Sequence, residues 1–64
     1  MNENTIIQEQ IINMLNTKKK CVFGEIVRDL NFSYNDVLTN VIELKKNGKI
    51  TKSAGDDGYY VTIT

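Results

Sequence analysis

The stretch EIVRDLNFSYNDVLTNVIELKKNGKI, Glu25 to Ile50, decides how this chain folds. With Gly24 before it, the opening GEIVRDLN places Ile26, Val27 and Leu30 on one face of a helix only two turns long, over about residues 24–31. Phe32 and Ser33 interrupt that periodicity. Ser33 is a natural N-cap, Asp36 is an acidic variant of the capping-box partner three residues on, and Phe32 is placed to staple onto Val37. A further helix, about residues 34–47, then runs from Tyr34 through Val37, Val41 and Leu44. Lys45 and Lys46 suit the negative end of its dipole, and Gly48 is suited to the left-handed closing conformation.

Upstream of this stretch, Ile7, Ile11, Met14 and Leu15 follow helical spacing and predict a first helix over about residues 4–17, with Asn2, Asn4 or Thr5 available as its cap. Lys18, Lys19 and Lys20 follow it and read mainly as dipole compensation and solubility. Cys21-Val22-Phe23 is either a brief strand or the lead-in to the second helix. Downstream, the apolar period changes from 3.6 to 2. Ile50 begins a strand, Ala54-Gly55-Asp56-Asp57-Gly58 is turn chemistry, and Tyr59, Val61 and Ile63 alternate with Tyr60, Thr62 and Thr64. A hairpin over about residues 49–64 is marginal alone, so its Ile50, Val61 and Ile63 face is expected to lie against the helices. The expectation is one α+β domain of three helices closed by a C-terminal hairpin, without repeats or linkers.

Composition bounds the chemistry. A chain of 64 residues buries only about 60% of its unfolded surface and can build one small core. There is one cysteine and no histidine, so neither an internal disulfide nor a Cys/His metal cluster can form, and Cys21 reads as a small core residue. Lysine plus arginine and aspartate plus glutamate balance at eight each, so any basic footprint must be local. No apolar run approaches the roughly 18 residues of a spanning helix, and MNENTIIQEQ lacks the basic and apolar regions of a leader; a cytoplasmic location without membrane partners is the expectation. Catalysis would need a nucleophile with its base, carboxylates paired in a cleft, or a metal. With no histidine and no glycine-rich phosphate loop, a non-enzymatic protein without cofactor is expected.

The apolar second helix, the Phe32-Ser33 turn, the Val37, Val41 and Leu44 line, Gly48 and Ile50, and the terminal GYYVTIT together resemble the winged helix-turn-helix domains. The resemblance covers essentially the whole chain and rests on the sum of spacings and element order. It implies DNA binding, with the third helix in the major groove and the hairpin as a wing near the flanking backbone. On that reading, Asn35 and Asn40 make bidentate contacts to adenine, and Thr39 meets a thymine methyl or a phosphate. Lys49 and Lys52 contact phosphate, as does Arg28 unless it pairs locally with Asp29 or Glu25. Ser33, Tyr34 and Lys46 complete the expected double-stranded DNA interface. Asp36 and Glu43 are placed on the same helix face, where a carboxylate can accept from a cytosine amino group. Asp56 and Asp57 occupy the wing tip, where family members often carry Arg or Lys, and read as turn residues.

Leu38 and Ile42 lie about 100° and 140° from the core line of the third helix, and Ile6 and Ile12 lie off the main stripe of the first. A contiguous patch of such residues marks a partner surface. Since dimers in this family often use the first helix and chain ends, the resemblance implies a homodimer that doubles a weak DNA-binding unit, a small transcriptional regulator. The alternative expectation is a winged-helix protein-interaction module that does not bind DNA.

Overall fold

The computed structural model describes residues 3–55 and 58–63. Its elements are α1 (Glu3–Lys18), β1 (Lys20–Val22), α2 (Phe23–Leu30), α3 (Tyr34–Lys46), β2 (Ile50–Gly55) and β3 (Gly58–Ile63). This is the α+β class expected, in a winged-helix-like layout. The Asp56-Asp57 turn lies outside the described residues.

Each helix is held by one apolar stripe. In α1 the stripe is Ile7, Ile11 and Leu15, in α2 it is Phe23 and Ile26, and in α3 it is Val37, Val41 and Leu44; all are buried. Together with Cys21, Ile50 and Val61 they form one core. Fully burying an Ile, Leu or Val side chain is worth about 1.5–3 kcal/mol, which is why so short a chain commits nearly every periodic apolar residue to it.

The ends of the elements follow local chemistry. α1 closes with Lys19 in the left-handed region (φ 70°), its N–H donating to the Leu15 carbonyl at 2.8 Å. The chain then turns straight into β1. α2 ends on Asn31, also left-handed at φ 59°, a conformation asparagine tolerates better than most residues. Ser33 caps α3: its Oγ accepts from the Asp36 N–H at 3.2 Å. At the far end Gly48 has φ 76°, its N–H donates to the Lys45 carbonyl, and the Lys49 N–H donates to the Leu44 carbonyl, both at 3.0 Å. Those two bonds make a Schellman closure.

Cys21-Val22 belongs to a strand, settling the open alternative for that segment, and Phe23 already begins α2. β1 pairs antiparallel with β3, Cys21 opposite Val61, and the sheet order is β1-β3-β2. The hairpin is therefore not left two-stranded. Ile50 and Val61 are buried as expected, whereas Ile63, opposite Ile50 at the rim of the core, stays 36% exposed. The other sheet face carries Lys20, Val22, Thr51, Ser53, Tyr60 and Thr62 by strand alternation. There the Tyr60 ring lies so close over Gly55 that a Cβ at Gly55 would collide with it, and Lys20 Nζ sits 4.3 Å from the ring centroid.

Candidate nucleic-acid interface

α3 is two-faced. Its inner stripe is Val37, Asn40, Val41 and Leu44, all buried. Asn35, Thr39, Ile42 and Lys46 are all exposed, and their i, i+4, i+7, i+11 spacing puts them within about 60° of one another on the outer face. Among the described residues none of these four outer side chains has a hydrogen bond or ion pair. They are surplus to the fold.

Asn40 does not belong to that face, and its expected role in reading adenine is corrected. It is 1% exposed. Its Oδ1 accepts from Gln8 Nε2 at 2.9 Å, and its Nδ2 donates to Asn4 Oδ1 at 3.2 Å and to the Asp36 carbonyl at 2.7 Å. Three residues beyond Val37 and four before Leu44, it occupies a core position by spacing, and the amide is retained there because α1 supplies partners. Among the described residues no buried side-chain nitrogen or oxygen lacks a partner.

The remaining expected contacts fall in different places. Ser33 spends its hydroxyl oxygen on the α3 cap, leaving its O–H available to donate. Tyr34 is 60% exposed and packs edge-on against Phe23, ring centroids 5.3 Å apart, joining the first residues of α3 and α2. Lys46 is in the last turn of α3 on the outward stripe. Lys49 lines an open groove of about 590 Å³ with Leu44 and, from α1, Thr5, Gln8, Glu9, Ile12 and Asn13; it faces the α1 side of the domain. Lys52 Nζ lies 4.8 Å from the Tyr59 ring centroid, a cation–π arrangement on the hairpin. Arg28 is highly exposed with Nε 3.6 Å from Asp29 Oδ1, the local pair foreseen as its alternative.

The lysine run after α1 is also divided. Lys18 Nζ bonds Glu25 at 2.7 Å and Asp29 at 3.3 Å, clasping the end of α1 to α2, and these two carboxylates, Glu25 first, raise the Lys18 pKa. Lys20 is over Tyr60. Cys21 is buried, and desolvation raises its thiol pKa, so it stays protonated and unreactive at neutral pH.

Of the apolar residues off the main stripes, Leu38 and Ile12 are half-buried against the core. Ile6 and Ile42 remain 41% and 51% exposed. Ile42 lies in the middle of the outward stripe, between Thr39 and Lys46, as its i+3 spacing from Thr39 requires. Among the described residues no cluster of three or more Cys, Asp or Glu could hold a metal ion, and no helix is long and apolar enough to cross a membrane. Compared with known proteins, the chain matches no family model, no curated protein and no solved structure.

Proposed function

We propose that this chain is a sequence-specific binder of double-stranded DNA, a winged helix-turn-helix regulator that lays the outward stripe of α3 in the major groove. The observation that carries the reading is the stripe itself: Asn35, Thr39, Ile42 and Lys46 are exposed in one line on a helix whose other side is fixed to the core. Asn35 pairs with adenine, Thr39 reaches a base or phosphate, and Lys46 neutralises phosphate. Ser33 and Tyr34 lie at the α3 N-terminus, where a recognition helix approaches the backbone, and Arg28, whose contact with Asp29 is a single 3.6 Å approach of Nε on a highly exposed side chain, keeps its other guanidinium N–H groups for a phosphate beside α2. The β2–β3 hairpin is the wing, with Lys52 as its phosphate contact. Lys49 is a peripheral contact, since it lines the groove against α1. The role is binding, without catalysis or cofactor, in the cytoplasm. A homodimer, using Ile6 on α1, doubles the few cations that one copy presents.

A second reading, a protein-interaction module, is favoured by the exposed Tyr34 and Ile42 and by the even charge balance. Binding to random-sequence duplex DNA at two salt concentrations separates the two. A DNA-binding domain loses affinity with a log–log salt slope of about −0.9 per phosphate contact, and Lys46→Ala reduces that slope by about 1. A folded sample that binds no duplex at low salt rejects the DNA reading.

A further inference from the structure

We propose that Ile42 and Thr39 read thymine C5-methyl groups, so that the duplex this chain selects is rich in A·T pairs beneath the middle of α3. The inference rests on the DNA-binding reading and adds the class of sequence bound.

From Asn35 to Lys46 the outward stripe covers about 16 Å of helix, the length of about five base steps. Ile42 is near its centre, 51% exposed and with no polar atom in its side chain. Base edges in the major groove present donors and acceptors, and only thymine adds an apolar group there, its C5-methyl. Set against any other base, Ile42 would desolvate polar edges that it cannot satisfy. Thr39, one turn toward the α3 N-terminus, offers a second methyl. Asn35, one further turn back, has the amide that matches adenine N6 and N7. Three successive outward positions therefore favour the same base pair.

The flanking residues bound the A·T run. Glu43 is exposed beside the stripe and its carboxylate suits a cytosine amino group, while Lys46 at the C-terminal end suits guanine or phosphate. Asp36 is half-buried, its backbone N–H taken by the Ser33 cap. A protein partner is less well served, because a single isoleucine between threonine, asparagine and lysine makes no continuous apolar face.

The test measures binding of the full chain to three short duplexes at low salt: an A·T-rich one, the same sequence with deoxyuridine replacing thymidine, and a G·C-rich one. Wild type is compared with Ile42→Ala and Thr39→Ser, both at exposed positions, with helicity checked by circular dichroism. The thymine duplex should bind tighter than its uracil counterpart by about fourfold for each methyl buried. Ile42→Ala should remove most of that difference while keeping residual, salt-sensitive binding, and Thr39→Ser should remove a smaller share. Equal affinity for thymine and uracil duplexes, or a difference that survives Ile42→Ala, overturns the methyl reading and leaves DNA binding standing. Absence of binding to all three duplexes overturns both.

Discussion

The two asparagines of α3 are five residues apart, which turns them about 140° around the helix. Asn40 is sealed between α1 and α3 and uses both ends of its amide inside the protein. Asn35 is exposed and has no such duty. The two side chains are chemically identical, so the contrast isolates position: the angle from the Val37, Val41 and Leu44 line decides whether an amide serves the fold or is left over for a ligand. The same contrast holds between Leu44 and Ile42, two large apolar side chains at 1% and 51% exposure on one helix.

Substitution should separate the two faces. Leu44→Ala is expected to cost about 3 kcal/mol in urea unfolding, and Asn40→Ala about 2 kcal/mol, because it removes the hydrogen bonds to Gln8, Asn4 and the Asp36 carbonyl and opens a gap. Ile42→Ala and Asn35→Ala should change stability by no more than about 0.5 kcal/mol. Asn35→Ala should instead weaken binding to a preferred duplex by about 1–3 kcal/mol. Equal stability losses on both faces would break the comparison.

The helix ends sharpen it at smaller scale. Gly48 and Lys19 both close a helix with positive φ, 76° and 70°, yet only one is glycine. Left-handed backbone is costly for a residue with a Cβ, so Gly48→Ala should destabilise by about 1 kcal/mol. Lys19→Gly should stabilise by up to about 1 kcal/mol, offset in part by a looser unfolded chain. Both changes are read as shifts of the unfolding midpoint.

The smallest effect is alkaline. The Cys21 thiol is raised by desolvation from its ordinary 9.0, and Lys18 is raised by its bonds to Glu25 and then Asp29 from 10.5. Each therefore holds its proton more tightly in the folded state. The stabilisation linked to Cys21 is fully present below 9.0 and is lost as pH rises through its folded value; that linked to Lys18 is full below 10.5 and is lost above it. Cys21→Ala should flatten the first part of this decline and leave the second, as followed by urea midpoints across the alkaline range.

Much of the fold was legible in local signals. Ser33 as N-cap, Gly48 as the left-handed closure, and the stripes of α1 and α3 all follow from backbone chemistry and periodicities that act within a few residues. The strand in Lys20–Val22 was legible only as an alternative, because three residues carry too little period to choose, and pairing with β3 chose for them. The candidate site was legible in part. Asn35, Thr39 and Lys46 are exposed on α3 as expected, while Asn40, expected outward as a polar reader, is buried because its spacing from Val37 and Leu44 sets it in the core stripe.

Periodicity and cap chemistry place the three helices to within about one residue at each end, the Ile7-Ile11-Leu15 and Val37-Val41-Leu44 stripes, and the turn of the apolar period from 3.6 to 2. These depend on interactions between residues near in the chain. Packing between distant segments sets that Asn40 meets Gln8 and Asn4 more than thirty residues away, that Lys49 turns to the α1 groove, and that Lys20 and Lys52 lie over Tyr60 and Tyr59. A polar or charged side chain has several satisfactory partners, and which one it takes depends on what packing brings within about 3 Å of a hydrogen-bonding atom, or within about 6 Å of a ring.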